Sequence, residues 1–299
     1  MIALVTGGAG FIGSHLVKEL VRRKYKVIVL DNLSTGSLEN LKSVKNKIKF
    51  IKFDLSKNKK ISKYLKGVDY VFHLAGLISV EDSLKHPNKY YLNNVIGTIN
   101  LLNSLINFKI KKLIYAASAS CYGDSKEIPT SEKANINLTS PYARTKWIAE
   151  QIVMKFNDKF PTISLRLFNV YGPNDQNSNQ YSGVINIFLN QKKMKKPFTI
   201  FGDGCQTRSF IYVLDVVNAM LKTAQSKLSG EIFNVSGARS VKINEIAKLL
   251  KGKKIYISKK HKETRHSSAN IKKIRKKLNW KPLISIKAGI NILLKSVNK

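Results

Sequence analysis

The stretch Ile2-Ala3-Leu4-Val5-Thr6-Gly7-Gly8-Ala9-Gly10-Phe11-Ile12-Gly13 decides the fold class of this chain. Its apolar start predicts a buried β-strand over residues 2–5, and the amphipathic pattern beyond it predicts a helix over residues 11–23. Glycines between a strand and a helix allow a tight turn and let the backbone approach a pyrophosphate, which binds at the helix N-terminus. An isolated Gly-x-Gly-x-x-Gly motif is weak evidence for a dinucleotide site. This motif, however, lies between the strand and the helix that such a site requires. We expect the cofactor to contact Gly7, Gly10, Phe11, Ile12 and Gly13.

Strand and helix patterns alternate through the first half of the chain. Short Val- and Ile-rich runs predict further strands at residues 27–30, 48–53, 70–73, 113–117 and 163–168. The segments between them predict helices at residues 38–44, 61–65, 87–108 and 141–160. This alternation indicates βαβ units and a parallel sheet that is covered on both faces. The expected fold class is therefore α/β, a doubly wound parallel sheet of the Rossmann type.

A polar, turn-rich stretch at residues 172–179 marks a change in this pattern. We predict a dinucleotide-binding Rossmann domain over residues 1–170, to which later segments of the chain can return. Residues 171–299 are expected to form mainly a smaller α/β domain that binds the substrate.

Asp31 ends the second predicted strand, about 20 residues after the glycines, where a carboxylate accepts hydrogen bonds from ribose hydroxyls. The same carboxylate repels the 2′-phosphate of NADP, so we predict NAD as the cofactor. A helix-capping role is the alternative, but Asp31 lies at the strand tip that the cofactor requires. The ends of the third and fourth strands add candidate cofactor contacts at Asp54, Leu55, Leu74, Ala75 and Gly76.

Tyr142 and Lys146 lie four residues apart at the start of a predicted helix, so they share one helical face. A phenol has a pKa near ~10, and a neighbouring ammonium lowers it, so Tyr142 can exchange a proton with a substrate hydroxyl. Ser118 follows the fifth predicted strand, where its hydroxyl can bridge the phenol and a substrate oxygen. Tyr-x-x-x-Lys and turn serines are both common by chance. It is their combination with the glycine stretch that favours Ser118, Tyr142 and Lys146 as a catalytic set.

The composition limits the other function classes. Cys121 and Cys205 are the only cysteines and lack a metal-ligand spacing, which argues against a disulfide framework and a metal site. The net charge of +35 raises the alternative of a nucleic-acid-associated protein, but the lysines are spread along the chain without a nucleic-acid-binding motif. We therefore expect no specific nucleic-acid partner. Without a membrane-length apolar run or a signal-peptide pattern, we expect no membrane association and a cytoplasmic location.

Several motifs, taken together and in order, resemble the extended short-chain dehydrogenase/reductases of the NAD-dependent epimerase/dehydratase family, in particular the UDP-glucose 4-epimerases. They are Thr6-Gly7-x-x-Gly10-x-x-Gly13, Asp31-Asn32-Leu33-Ser34-Thr35-Gly36, Ser118-x-x-x-Tyr122-Gly123, Ser140-Pro141-Tyr142-x-x-x-Lys146 and Arg166-Leu167-Phe168-Asn169-Val170-Tyr171-Gly172-Pro173. The segment from Gly202 to Val213 resembles the part of that family that contacts the nucleotide diphosphate. The resemblance runs from residue 1 to about residue 282.

The resemblance implies roles for individual residues. Tyr142 is implied as the catalytic acid and base, Lys146 as its partner on the nicotinamide ribose, and Ser118 as the catalytic hydroxyl. Further implied NAD contacts are Asn32, Ser34, Thr35, Gly36 and Asn93. Besides Ser118 and Tyr142, the implied contacts with a UDP-sugar substrate are Asn169, Arg208, Lys260, Glu263, Arg265 and Ser267.

The activity that the resemblance implies is 4-epimerisation of UDP-hexoses. Tyr142 takes the proton of the sugar 4-hydroxyl as hydride leaves C4, the 4-keto sugar turns, and hydride returns to the other face. Dehydratases of the family usually carry Asp-Glu after the catalytic Thr, and decarboxylases keep that Glu, whereas this chain has Ala119 and Ser120. This favours epimerisation, with a dehydratase, decarboxylase or reductase as the alternative. A non-catalytic NAD(H)-binding regulator is a second alternative, although the catalytic set is complete.

Two departures from the family bear on the substrate. Its Arg-x-Gly-Asp region is altered, with Lys260 in place of the Arg and Glu263 in place of the Asp, and Arg265 is an alternative guanidinium. Ser267 takes a sugar-pocket position that is bulky in epimerases restricted to UDP-glucose, so acceptance of UDP-N-acetylglucosamine and UDP-N-acetylgalactosamine is implied. Members of the family dimerise through two helices per subunit, which correspond to residues 87–108 and 141–160, so we expect a homodimer.

Overall fold

The structure is a computed structural model that describes residues 1–57, 61–175, 183–258 and 264–297. The strands are β1 (Ile2–Thr6), β2 (Lys26–Asp31), β3 (Ile48–Lys52), β4 (Tyr70–His73), β5 (Lys112–Ser118), β6 (Thr162–Leu167), β7 (Asn169–Tyr171), β8 (Phe198–Phe201), β9 (Thr207–Tyr212), β10 (Glu231–Val235), β11 (Ser240–Lys242) and β12 (Lys254–Ile257). The α-helices are α1 (Phe11–Arg22), α2 (Val80–Lys85), α3 (Pro87–Tyr90), α4 (Gly97–Leu105), α5 (Pro141–Lys155), α6 (Val184–Lys193), α7 (Val213–Gln225), α8 (Ile243–Leu250), α9 (Lys272–Leu278) and α10 (Ile286–Val297).

Seven strands form a sheet in the order β10-β6-β5-β4-β1-β2-β3. β1 pairs in parallel with β2 and β4, and the β2–β3 and β4–β5 pairs are parallel as well. The chain proceeds from β1 outward to β3 and resumes at β4 on the other side of β1. In such sheets ligands bind beyond the carboxyl ends of the strands at this point of reversal, which is where the glycine stretch follows β1. The predicted α/β doubly wound fold is confirmed.

A core of apolar strand and helix residues fixes the elements that carry the site. Leu101 and Leu105 of α4 and Ala149 and Val153 of α5 belong to one buried cluster with Leu113 of β5, because α4 and α5 cover the same side of the sheet. Removal of these side chains from water is the main favourable term in folding. The packing holds α5 against β5.

The chain forms two compact units. The first comprises Met1–Cys121, Leu138–Arg166 and Val217–Phe233, and the second comprises Tyr122–Asn137, Leu167–Val216 and Asn234–Lys299. Along the chain the two units alternate more often than a single boundary at residue 170 predicts. Residues 122–137 group with the second unit, and residues 217–233 group with the first. The second unit contains a three-stranded sheet, β11-β9-β7, and a parallel pair, β12-β8.

Several predicted helices differ in the structure. Residues 38–47 form 3₁₀ turns instead of an α-helix, and α5 ends at Lys155 instead of residue 160. The helix predicted over residues 87–108 is divided into α3, a π-helical segment (Tyr91–Ile96) and α4. The Thr98 hydroxyl donates to the carbonyl oxygen of Asn94 at 2.6 Å, and such side-chain bonds compete with the regular helical ladder. In the described ranges, no helix is long and apolar enough to cross a bilayer.

Candidate active site

The glycine loop between β1 and α1 is shaped by two positions that exclude a side chain. Gly7 has a φ of +70°, in the left-handed region, and a Cβ there would lie 2.7 Å from the Ala75 nitrogen. A Cβ on Gly13 would lie 2.1 Å from the Gly7 carbonyl oxygen, because the first turn of α1 packs directly on the loop. Gly10 is the N-cap of α1 and provides no side-chain cap, so the N–H groups of the first turn can bind an anion. The loop therefore fits a pyrophosphate.

Asp31 joins the end of β2 to this loop. Its Oδ2 accepts a hydrogen bond from the Ala9 N–H at 2.9 Å, and its Oδ1 accepts one from the Leu33 N–H at 2.8 Å. Burial raises the pKa of the Asp31 carboxyl, and these two hydrogen bonds oppose the rise. Each carboxylate oxygen has a further lone pair, so Asp31 can still accept from ribose hydroxyls. The residues that fit an adenosine ribose thus lie beside those that fit the pyrophosphate.

The segment after β2 also packs against the glycine loop. The Ser37 N–H donates to the Ala9 carbonyl oxygen at 3.1 Å, and the Asn40 side chain donates to the same oxygen at 2.9 Å. This brings the predicted NAD contacts of the β2 loop next to the glycines; within it Asn32 and Gly36 are half-buried, while Ser34 and Thr35 are exposed.

The ends of β3 and β4 carry the remaining predicted contacts of this edge. Burial alone raises the pKa of Asp54, but hydrogen bonds from Ser56 and Asn32 outweigh it, so the net shift is downward. Leu55 is buried beside Asp54, whereas Leu74, Ala75 and Gly76 are half-buried at the end of β4. The Ala75 N–H donates to Thr6 Oγ1 at 3.2 Å, which ties this segment to β1. The carboxyl ends of β1, β2, β3 and β4 thus form one continuous lining that fits a dinucleotide.

The catalytic candidates meet where β5 ends and α5 begins. Ser140 caps α5 by accepting a hydrogen bond from the Ala143 N–H at 3.1 Å, and Pro141 occupies the first turn. This start places Tyr142 in the first turn and Lys146 one turn later. Ser118 is the last residue of β5, and its side chain lies near enough to the Tyr142 phenol to lower the pKa of that phenol. The structure therefore brings Ser118 and Tyr142 together and keeps Lys146 on the same helix.

Burial controls the protonation of both α5 residues. It raises the pKa of the Tyr142 phenol, and the nearby Ser118 side chain opposes this rise. Burial lowers the pKa of the Lys146 ammonium to about 7, and the negative charge of Glu150 opposes this shift. A phenol and an amine with perturbed pKa values, on one helical face, are suited to proton transfer near neutral pH.

Asn94 is a supporting residue that sequence reasoning missed. It is buried, its Oδ1 accepts from the Leu77 N–H at 2.8 Å, and its Nδ2 donates to Thr145 Oγ1 at 3.1 Å. It therefore connects the segment after β4 to α5 between Tyr142 and Lys146. The predicted contact is its neighbour Asn93, which is half-buried and donates to the Lys89 carbonyl oxygen within its own helix at 3.2 Å. Both asparagines lie in the π-helical segment, and the sequence pattern did not predict this irregular backbone.

Besides Ser118 and Tyr142, four predicted substrate residues lie in described ranges, all in the second unit: Asn169, Arg208, Arg265 and Ser267. Asn169 begins β7 and donates to the Ser209 carbonyl oxygen at 3.1 Å, and Arg208 lies on the adjacent β9. The Ser267 N–H donates to the Thr207 carbonyl oxygen at 3.1 Å, which brings that residue beside the start of β9. Lys260 and Glu263 lie outside the described residues.

Arg265 is held by a carboxylate in the loop before β9. Its guanidinium donates two hydrogen bonds to Asp203, at 2.8 and 2.6 Å, and both side chains are exposed. The pair lowers the pKa of Asp203. The backbone of Arg265 lies beside the start of β9, since the Thr207 N–H donates to the Arg265 carbonyl oxygen at 3.1 Å. A guanidinium can also donate two parallel hydrogen bonds to phosphate oxygens, so Arg208 and Arg265 are candidate contacts for a diphosphate.

No metal site accompanies these residues in the part of the chain that the structure describes, where no three His, Cys, Asp or Glu side chains come together as ligands. Cys121 and Cys205 are both free thiols.

Several known proteins resemble this chain in sequence and in fold. The chain matches the profile of the NAD dependent epimerase/dehydratase family over residues 3–236. It is 37% identical over 298 residues to a putative UDP-glucose 4-epimerase of Methanocaldococcus jannaschii, covering 96% of this chain and 95% of that protein. The crystal structure of a Thermotoga maritima UDP-glucose 4-epimerase with UDP-glucose is 33% identical with a TM-score of 0.94, covering 100% of this chain and 99% of that one. A UDP-N-acetylglucosamine 4-epimerase of Methanobrevibacter ruminantium in complex with UDP-N-acetylmuramic acid is 32% identical with a TM-score of 0.92, covering 98% of each chain.

Proposed function

The chain belongs to the NAD dependent epimerase/dehydratase family, and we propose that within it the protein is a 4-epimerase of UDP-hexoses. Family membership confirms the resemblance found in the motifs, together with an enzymatic activity and the use of NAD. The reaction we propose interconverts UDP-glucose and UDP-galactose through a transient 4-keto sugar.

One observation carries this proposal. Ser118 ends β5 beside the Tyr142 phenol of α5, with Lys146 one turn along, and the two residues after Ser118 are Ala119 and Ser120. Elimination of water from the sugar needs an additional acid and base, and neither Ala119 nor Ser120 can provide one. A site that moves one proton at one hydroxyl is sufficient for epimerisation.

Each catalytic residue has a distinct task in this reaction. When bound, NAD supplies reversible hydride transfer at the sugar C4. The Tyr142 phenolate accepts the proton of the 4-hydroxyl and later returns it, and the Ser118 hydroxyl donates a hydrogen bond to the same oxygen. The Lys146 ammonium favours the phenolate by its charge. Because burial raises the pKa of Tyr142, this positive charge is needed for a phenolate near neutral pH.

The second unit supplies the groups that we propose to bind the diphosphate. Arg208 and Arg265 offer guanidinium groups, and Asn169 offers an amide on the neighbouring strand. Lys260 and Glu263 remain proposed contacts in the same part of the chain. Binding at the diphosphate leaves the sugar free to turn, so that the 4-keto intermediate can present either face.

Ser267 is proposed to set the range of sugars. Its backbone is tied to Thr207, so its short side chain has a fixed position in the second unit. A short side chain there leaves space for an acetamido group, and we therefore propose that UDP-N-acetylglucosamine and UDP-N-acetylgalactosamine are substrates as well. The similarity of this chain to the UDP-N-acetylglucosamine 4-epimerase of Methanobrevibacter ruminantium supports this extension.

We also propose that the protein is a homodimer. Tyr91, Leu92 and Ile106 are exposed apolar residues in the part of the chain where α3 and α4 lie. A surface concavity lined by Pro87, Tyr91, Pro141 and Arg144 lies between α3 and α5. Exposed apolar surface on these helices favours association with a second copy. Light scattering after size exclusion should give twice the chain mass of 33.7 kDa, and a monomer would refute the dimer.

The central experiment is incubation of the purified protein with UDP-galactose or with UDP-N-acetylgalactosamine, without added NAD, with product analysis by NMR. We expect the 4-epimer of each. The matched control is Tyr142→Phe, which keeps the ring and removes the acid and base, and should lose about 100-fold or more in kcat.

Other products would identify the alternative activities. Absence of either epimer from protein that contains NAD, or loss of water or carbon dioxide from a UDP-sugar, would contradict the epimerase and favour a dehydratase, decarboxylase or reductase. Epimerisation of UDP-galactose alone would contradict only the role given to Ser267. Salt-sensitive DNA binding that UDP-sugars do not compete with would favour the nucleic-acid alternative suggested by the +35 charge.

A further inference from the structure

The ammonium group of Lys146 rests on the face of an aromatic ring. Its Nζ lies 4.4 Å from the centroid of the Tyr115 ring, within the distance of a cation–π interaction. Lys146 is 6% exposed and Tyr115 is 1% exposed, so little solvent screens this contact. Tyr115 lies on β5, three residues before Ser118, and belongs to the buried cluster that packs against α5.

The other groups around Lys146 give its charge little direct compensation. Glu150 is one turn further along α5, but its two oxygens accept hydrogen bonds from Arg166 of β6, at 2.6 to 3.1 Å, and from Ser164 at 2.9 Å. Within the described chain, the Lys146 Nζ has no protein hydrogen-bond acceptor. Until a ligand hydroxyl binds, the Tyr115 ring is therefore the group in direct contact with the ammonium, and the charge of Glu150 favours the ammonium from one turn away.

The remaining titratable neighbours stay neutral. His73 on β4 is paired in register with Tyr115, and burial followed by the charge of Lys146 lowers its pKa to about 3. Burial, followed by the charges of Glu150 and Tyr142, raises the pKa of Tyr115 well above its ordinary value. Tyr115 therefore acts through the electron-rich face of a neutral ring. Its hydroxyl has no hydrogen-bond partner, so the ring itself is the functional part.

We propose that Tyr115 is a positioning residue of the epimerase site: its ring face holds the Lys146 ammonium in place and keeps it charged, so that Lys146 can support the Tyr142 phenolate. This inference rests on the proposed function. It assigns a role to a residue that does not touch the substrate and that neither the motif Ser118-x-x-x-Tyr122 nor the motif Tyr142-x-x-x-Lys146 includes.

The effect of the ring can be estimated from its geometry. A desolvated cation–π contact changes the acid dissociation of an amine by about tenfold or more, which corresponds to a shift of at least about one pH unit. Loss of the ring face should therefore move the protonation midpoint of Lys146 downward by about one pH unit. Loss of the unpaired hydroxyl alone should leave the midpoint unchanged within a few tenths of a unit.

The test uses variants that separate the electrostatics of the ring from its packing. Tyr115→Phe keeps the ring face, and Tyr115→3,4,5-trifluorophenylalanine keeps a similar shape but withdraws electron density from the face. Tyr115→Leu removes the ring altogether. If the Leu variant does not fold, the fluorinated variant still tests the proposal, because its ring fills nearly the same space in the buried cluster as the Tyr115 ring.

The first readout is the protonation of Lys146 itself, measured in the full chain without substrate. Trace acetylation at a series of pH values, followed by peptide mass spectrometry, gives the midpoint for each lysine. We expect a lower midpoint for Lys146 in the trifluorophenylalanine and Leu variants than in the Phe variant. Lys112, buried at the other end of β5, should titrate alike in all of them. Equal Lys146 midpoints in all the variants would overturn the proposal.

The second readout is the pH profile of kcat with the NAD-loaded enzyme. The Phe variant should resemble the natural chain, while the activity of the fluorinated variant should decline with rising pH about one pH unit earlier than that of the natural chain. A uniform loss of activity at all pH values, with an unchanged Lys146 midpoint, would indicate a packing role only and overturn the proposal. Because the acetylation readout needs no substrate, absence of epimerase activity would refute the proposed function without affecting the result for Lys146.

Discussion

Gly13→Ala is the change with the most direct consequence for the glycine loop. The new Cβ would lie 2.1 Å from the Gly7 carbonyl oxygen and 2.8 Å from the Gly8 Cα. Both are backbone atoms, so no side chain can rotate away, and the loop or α1 has to move by about 1 Å to restore ordinary contact. Gly13 lies in the third position of α1, so alanine also brings a better helix propensity.

These two effects have opposite signs and different sizes. Overpacking against a fixed backbone costs up to about 3 kcal/mol. The gain in helix propensity is about 1 kcal/mol. We therefore expect the free energy of unfolding to fall by about 2 kcal/mol. Since the displaced backbone is the part that fits a pyrophosphate, we also expect the affinity for NAD to fall by about tenfold or more.

Urea unfolding of the NAD-free protein measures the first effect, and calorimetric titration with NAD measures the second. Gly97→Ala is the matched control, because it is also a helical glycine but its Cβ would meet the nearest atom at an ordinary 3.5 Å. The control should be stabilised by up to about 1 kcal/mol and bind NAD normally. A Gly13→Ala protein with unchanged stability and unchanged NAD affinity would refute this reasoning.

Three further outcomes are expected. Asp31→Asn keeps an acceptor for the Ala9 or Leu33 N–H but removes the charge, so affinity for NADP should rise relative to NAD by about tenfold in calorimetric titrations; an unchanged ratio would contradict the role of the charge. Glu150→Gln leaves Arg166, 3% exposed, without its counter-charge and should cost about 3–5 kcal/mol in urea unfolding, while the double change Glu150→Leu with Arg166→Leu should recover most of it. Lys146 has a pKa of about 7 in the folded chain and about 10.4 in the unfolded chain, so its burial costs stability in full below pH 7 and the cost declines as the pH rises toward 10. Lys146→Met should therefore be more stable than the natural chain at pH 7 and lose most of that advantage by pH 10, and a pH-independent difference would be inconsistent with this pKa.

Local sequence patterns were sufficient to predict those parts of the protein whose conformation depends on residues close together in the chain. Strand β1, the glycine turn and α1 are contiguous, and turn chemistry and helical periodicity act over a few residues. For the same reason the sequence predicted that Asp31 ends a strand and that Tyr142 and Lys146 share a helical face. A dinucleotide-binding α/β fold and a candidate catalytic pair therefore required no knowledge of long-range contacts.

Partners far apart in the sequence were decided by tertiary packing alone. Tyr115 meets Lys146 because β5 packs under α5, and the burial of both residues is what makes the contact electrostatically effective. Arg265 meets Asp203 across 62 residues of chain. Neither pairing leaves a periodic signal, because each depends on the folded path of the backbone. The reactive side chains can therefore be recognised from local patterns, whereas the neighbours that adjust their protonation depend on long-range packing.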